Sequence, residues 1–170
     1  ARRALRGMID ENNSHDTLQS IIDVGTSAGG ARAKAVIGWN PRTKEIRSGQ
    51  FDIPNNFEHW LLKFDGIGEA RNLGASSYYG KIEYVYYKMA LAAGINMSKC
   101  CLLEENGRSH FMTKRFDRED GIKHHLQTLC AMNHIYYKKR ATNSYEQLFI
   151  AIRQLRLGHE AEVEAFRRMV

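Results

Sequence analysis

Eight residues, Phe57-Glu58-His59-Trp60-Leu61-Leu62-Lys63-Phe64, constrain the fold of this chain more than any other stretch. The run is almost continuously apolar, the pattern of a strand with neighbours on both sides near the centre of a sheet. Lys63 therefore lies in or beside a core. A central strand needs partners, and the flanking sequence supplies them. Ala33 to Trp39 suits a strand, Asn40-Pro41-Arg42-Thr43 reads as a turn, and Glu45 to Arg47 can return as the next strand. Cys100 to Leu103 and His110 to Phe116 flank Glu105-Asn106-Gly107. Asn-Gly between apolar runs is a strong hairpin signal, because both residues accept a positive φ.

Helical patterns surround this β-rich part. Ser77 to Ala93 is the strongest, with Ser76 or Ser77 as cap and Gly94 just past its end. Ile82, Val85, Tyr86, Met89, Ala92 and Ala93 recur at spacings of three and four and predict its apolar face. Further helices are predicted at Leu126 to Met132, at Ser144 to Leu155 with Ser144 as cap, and at His159 to Val170. Two short ones precede the first strand, Ala1 to Met8 and Asp16 to Ile22, the second opened by Ser14 or Asp16. A β-rich half thus precedes an α-rich half, an α+β arrangement. A length of 170 residues fits one domain or two tightly joined subdomains.

Composition narrows the function classes. Asp10-Glu11-Asn12-Asn13 stands where the apolar core of a signal peptide would follow Arg2, Arg3 and Arg6, and no membrane span is present, so a soluble cytoplasmic chain is expected. Cys100, Cys101 and Cys130 form neither a disulfide framework nor a C-x-x-C zinc pattern, and read as reduced thiols. The net charge of +6 raises nucleic-acid binding, but the cations are spread along the chain. Their denser groups, Arg2-Arg3-Arg6, Lys138-Lys139-Arg140 and Arg153-Arg156, lack interleaved aromatics for base stacking. A cleft holding a polyanionic nucleotide accounts for the charge more economically.

Gly25-Thr26-Ser27-Ala28-Gly29-Gly30-Ala31-Arg32-Ala33-Lys34 has the makings of such a cleft. Small residues let backbone N–H groups approach an anion, hydroxyls can donate to it or accept a phosphoryl group, and Arg32 and Lys34 balance its charge. The spacing is not that of a Walker loop, and read alone the stretch is equally a glycine turn before a hairpin. Lys63 alone could snorkel from a sheet edge, and Glu83 alone could be a solvated helix residue. Together, a strand lysine followed about twenty residues later by a helix glutamate can form the ion pair that positions an ATP-contacting ammonium, as in the small lobe of a kinase.

The sequence resembles the HipA-like serine/threonine kinases, toxins of bacterial toxin–antitoxin systems. The resemblance is carried by the loop Gly25 to Lys34, Trp60-Leu61-Leu62-Lys63-Phe64, Glu83-Tyr84, Lys114-Arg115-Phe116-Asp117-Arg118 and His125-Leu126-Gln127-Thr128-Leu129-Cys130, in the family's order. It implies an antiparallel, β-rich small lobe over residues 1–118 and the first helices of an α-helical large lobe over 119–170. ATP would be held by Ser27, Ala28, Gly29, Gly30, Ala31 and Lys34 of the loop, by Lys63 with Glu83 as its partner, and by backbone groups near Lys114 and Phe116 between the lobes. Ser27 would be the autophosphorylated switch, with Thr26 as a neighbouring competitor. Arg115 and Asp117 would brace the hinge, and His125 and Gln127 would pack beneath it.

The family's D-x-H-x-K-N catalytic loop has no counterpart after Asp117. The resemblance therefore implies a fragment that ends before the catalytic aspartate and the magnesium ligands, inactive alone, whose parent transfers the γ-phosphate of ATP to a protein serine or threonine. No catalytic residue and no metal ligand is assigned here. The implied partners are a HipB-like antitoxin and a protein substrate such as an aminoacyl-tRNA synthetase, with any DNA contact made through the antitoxin. The alternatives are a non-catalytic interaction module, such as half of a split kinase or an antitoxin-binding regulator, and a basic nucleic-acid-binding protein.

Overall fold

The computed structural model describes residues 34–50, 52–65, 78–105, 107–119, 121–136, 138 and 143–170. The glycine-rich loop from Gly25 to Ala33, the two N-terminal helices and the Ser76/Ser77 cap lie outside the described residues.

Strands β1 (Lys34–Trp39), β2 (Ile46–Ser48), β3 (Glu58–Lys63), β4 (Cys100–Glu105) and β5 (Arg108–Lys114) form one antiparallel sheet in the order β2-β1-β3-β5-β4. The apolar run of β3 is central, as its composition predicts. Among the described residues, four helices and a short two-stranded ribbon complete a mixed α+β fold.

Side-chain alternation divides the sheet into two faces. One carries the main core: Ala35, Ile37, Trp39, Trp60, Leu62, Phe64 and Met112 are buried, with Ile46, Cys101 and Leu103 packed against them. Trp39 and Trp60 meet edge to face at 5.2 Å. Each such side chain taken from water contributes about 1.5–3 kcal/mol, so this layer dominates the stability of the sheet. On the other face the register aligns Val36 with Leu61 and Leu61 with Thr113, and one step along aligns Lys34 with Lys63 and Lys63 with Phe111.

The turns follow from their residues. Buried Asn40 accepts the N–H groups of Arg42 (3.0 Å) and Thr43 (3.2 Å) on its Oδ1. Lys44 takes a left-handed conformation, φ 64°, and the Glu45 carbonyl accepts the Asn40 N–H. The return strand consequently begins at Ile46, one residue later than predicted. In the β4–β5 hairpin Glu105 pairs with Arg108, leaving the two-residue Asn-Gly connection, and Gly107 has φ +73°. Strand β5 stops at Lys114 instead of Phe116 because the Arg115 N–H turns to the His59 carbonyl (2.9 Å). The ribbon β6 (Arg118–Glu119) and β7 (Ile122–Lys123) then turns at Gly121, φ +79°; strands this short leave no periodicity to read.

Helix α1 (Tyr79–Ala92) begins after Tyr78, which makes no side-chain cap bond, and closes in a Schellman motif with the Gly94 N–H on the Leu91 carbonyl and the Ile95 N–H on the Ala90 carbonyl. Its predicted apolar face is a correction. Ile82, Val85, Tyr86 and Met89 are 45–66% exposed, and Ala92 and Ala93 are exposed too. The helix turns Gly80, Glu83, Tyr84, Tyr87 and Ala90 inward instead. The physical reason is close approach: a Cβ on Gly80 would stand 1.9 Å from the Ser109 carbonyl oxygen, so only this residue lets α1 reach the β5 backbone.

Helix α2 (Leu129–Met132) starts three residues later than predicted because Thr128 is the N-cap, its Oγ1 accepting from Ala131 at 3.2 Å. His125 and Gln127 are consequently in the exposed segment before it, not packed beneath a hinge. Helix α3 (Tyr145–Gln154) opens with the Ser144 N–H donating to Gln147 Oε1 at 3.0 Å, as its predicted cap requires. Helix α4 (His159–Met169) docks on the segment that follows α1: Glu164 accepts the Asn96 N–H at 3.0 Å, and Arg168 donates to the Asn96 carbonyl.

Candidate functional site: a cleft beside a lysine–glutamate pair

The sheet face opposite the main core carries the site. From the last position of β3, Lys63 Nζ reaches Glu83 Oε2 on α1 at 2.5 Å, with the Phe111 ring 5.5 Å from the ammonium. Their side chains are 32% and 28% exposed, so the pair is only partly screened by water, unlike surface pairs worth about 0–1 kcal/mol. Lys34, at the first position of β1, is the register partner of Lys63. Like charges directly opposite one another repel. This register brings two cations to one face of the sheet, beside the Glu83 carboxylate.

Next to them lies a cavity of about 880 Å³, within the usual range for small-molecule sites. Val36, Leu61 and Thr113 form its sheet wall, Asn96 to Ser98 one side, Lys114 to Asp117 another, and Leu126 and Arg168 close it from the helical part. Lysine and cavity are consecutive because Leu61 and Lys63 are two residues apart on one strand and share a face.

The segment after β5 is braced by its own charges. Arg115 donates from Nε to Asp117 Oδ1 (2.9 Å) and from Nη2 to Oδ2 (2.5 Å), and Arg118 Nη1 adds a bond to Oδ2 (2.6 Å). The Arg115 guanidinium holds the buried Asp117 carboxyl below the usual carboxylate range, outweighing the opposing effect of burial. Phe116 projects at the rim, 70% exposed. Lys114 lines the cleft, but its ammonium is engaged elsewhere. Its ammonium pairs with Glu58 at 2.6 Å on the core face, and its N–H donates to the Lys99 carbonyl at 2.8 Å. Burial pushes Glu58 up, but hydrogen bonds from Lys114 and Trp60 more than offset it and leave its carboxyl lowered.

Of the residues predicted to handle a nucleotide, Lys34, Lys63, Glu83, Lys114 and Phe116 are described: Lys114 and Phe116 line this cleft, while Lys34 and Lys63 stand two residues along their strands from its walls Val36 and Leu61, with Glu83 on Lys63. Ser27, Ala28, Gly29, Gly30 and Ala31 lie outside the described residues. Sequence reasoning missed the walls, Val36, Leu61 and Thr113, and the two side chains at the base of α1. Asp65 and His110 are buried, and the Asp65 N–H donates to His110 Nδ1 at 2.9 Å. Burial depresses the His110 pKa. The walls follow from counting alternate residues away from Lys63; the Asp65–His110 link spans 45 residues and leaves no local signal.

The thiols are unpaired, and burial pushes Cys100 and Cys101 up, which keeps both protonated and unreactive. Among the described residues no cluster of three or more His, Cys, Asp or Glu is arranged to hold a metal ion, and no helix is long and apolar enough to cross a membrane.

An α+β protein with a strand lysine and a helix glutamate paired beside an apolar cleft is the class that these observations define. A family model described as the HipA-like C-terminal domain matches residues 26–170, and the chain belongs to that family. No curated protein and no solved structure matches it.

Proposed function

We propose that this chain is the ATP-binding portion of a HipA-like serine/threonine protein kinase. The observation that carries the reading is the Lys63–Glu83 pair beside the cavity. The apolar walls Val36 and Leu61 suit an adenine ring, and residues 114–117 line one side. Lys63, held by Glu83, and Lys34 beside it suit the phosphates. This donor set fits the phosphates of a nucleotide, and by the family resemblance the magnesium ligands belong to the kinase catalytic loop. There, a kinase moves the γ-phosphoryl group of ATP to a protein hydroxyl, and the work of these residues is to orient the phosphates and offset their charge. Ser27, seven residues before Lys34, is the proposed site of autophosphorylation. By the same resemblance the partners are a HipB-like antitoxin and a protein substrate such as an aminoacyl-tRNA synthetase.

The test is displacement of a fluorescent ATP analogue from the chain. Saturable binding reversed by ATP, and more weakly by adenosine, is the expected result. Absence of binding, or equal displacement by adenosine and ATP, removes the role given to the two lysines.

A further inference from the structure

Helix α1 has an unsolved electrostatic requirement at its start. The first amides of any helix lack intrahelical acceptors and carry a partial positive charge. Here Tyr78 supplies no side-chain cap, and no acidic residue lies in the first turn. The acceptor comes from elsewhere: Asp65, 1% exposed, points its carboxylate at this helix end, with Oδ1 3.5 Å from the Gly80 N–H. Oδ2 is buried with no hydrogen-bond partner among the described residues. A buried carboxylate this poorly satisfied is costly unless something offsets its charge, and the positive end of a 14-residue helix does so.

The position of Asp65 links this contact to the site. It follows Lys63 by two residues, and its own N–H is fixed on β5 by His110 Nδ1. Gly80, its partner on α1, stands one turn before Glu83 and touches the β5 backbone through its missing Cβ. One residue thus ties the end of the lysine strand to the start of the glutamate helix.

We propose that Asp65 is a positioning residue for the Lys63–Glu83 pair, capping α1 from a distance so that Glu83 stands within reach of the lysine ammonium. Its consequence for phosphate binding rests on the nucleotide reading above; the positioning itself does not. The experiment uses limiting acetic anhydride on the intact chain, with the acetylation rate of Lys63 read by peptide mass spectrometry and no nucleotide present. An ammonium held by a carboxylate reacts slowly, so Glu83→Gln sets the rate of the released amine.

Asp65→Ala is expected to raise Lys63 acetylation about fivefold, to within about twofold of Glu83→Gln, and the double variant to react no faster than Glu83→Gln alone. Asp65→Asn keeps an acceptor for the Gly80 N–H and is expected to retain the slow rate. A merely structural loss would raise the double variant further and speed other lysines such as Lys88 equally. A folded Asp65→Ala protein with Lys63 as slow as in the wild type overturns the proposal, and so does a double variant whose rate is the product of the two. If Asp65→Ala does not fold, hydrogen exchange of the Gly80 amide in the wild type decides: protection above the rate of an unstructured peptide amide supports the cap, and exchange at that unprotected rate overturns it. A wild type that shows this labelling pattern but binds no ATP leaves the positioning standing and defeats the nucleotide reading.

Discussion

Gly80→Ala sets two effects of known sign against each other. In an exposed helix the substitution would stabilise, since glycine is about 1 kcal/mol worse than alanine. At this position the new methyl would stand 1.9 Å from the Ser109 carbonyl oxygen, 3.1 Å from its carbon and 3.2 Å from the Phe111 nitrogen. Carbon–oxygen contacts normally stay beyond about 3.3 Å, so α1 must retreat by more than an ångström from β5. Both obstacles are backbone, which cannot swing aside as a side chain can. Overpacking of this kind costs about 1–3 kcal/mol or more. Because both obstacles are backbone, the upper end of about 3 kcal/mol applies; with the propensity gain of about 1 kcal/mol deducted, about 2 kcal/mol remains, and at about 2–4 °C per kcal/mol for a chain of this size Tm should fall by roughly 4–8 °C. Urea unfolding followed by the fluorescence of buried Trp39 and Trp60 measures the loss directly. Because Glu83 sits one turn further along, Lys63 should also become more reactive to acetylation. A variant as stable as the wild type, with Lys63 still protected, would refute the claim that the Gly80 contact seats the helix.

Three further perturbations probe other parts of the account. His110 is depressed by burial, so the unfolded chain binds a proton that the folded one refuses: stability should be full above the ordinary histidine range and fall as pH drops through it, by at most about 1.4 kcal/mol per pH unit for one group. His110→Asn, which keeps an acceptor for the Asp65 N–H, should flatten that slope in urea titrations at several pH values. Asp117→Asn removes the charge that Arg115 and Arg118 share while keeping one acceptor oxygen, and should cost about 1.5–3 kcal/mol in the same assay, the worth of a hydrogen bond to a charged group. The depressed pKa of Asp117 adds stability that is present above the ordinary carboxylate range and lost on acidification below it. Val36→Trp fills the cavity from its sheet wall and should weaken nucleotide binding by more than about tenfold while the circular dichroism spectrum is retained.

The parts legible in the sequence were those with local causes. The apolar run of β3 declared its central place, Asn106-Gly107 its hairpin, Ser144 and Gly94 their helix ends. The Lys63–Glu83 pair was legible as well, because strand and helix are consecutive and twenty residues apart. The inward face of α1 was not. Periodicity ranks positions by hydrophobicity, and it chose Ile82, Val85, Tyr86 and Met89. The contact is set instead by a glycine that permits backbone approach and a glutamate that meets a lysine, neither of which a hydrophobic pattern weighs. Asp65 and His110 escaped for a related reason: their links to Gly80 and to each other cross 15 and 45 residues and exist only once the sheet register is set. The glycine-rich loop, the strongest chemical signal in the sequence, lies outside the described residues, so its role stays with the proposal.

The most direct measurement is a calorimetric titration of ATP into the wild-type chain and into Lys63→Met, after both show the same cooperative unfolding. The account predicts binding to the wild type that weakens by at least about tenfold in the variant, a loss of about 1.4 kcal/mol or more for removing an ammonium that meets a phosphate. Equal affinity in the two folded proteins would contradict the central claim that the Lys63–Glu83 pair serves a nucleotide held in the neighbouring cleft.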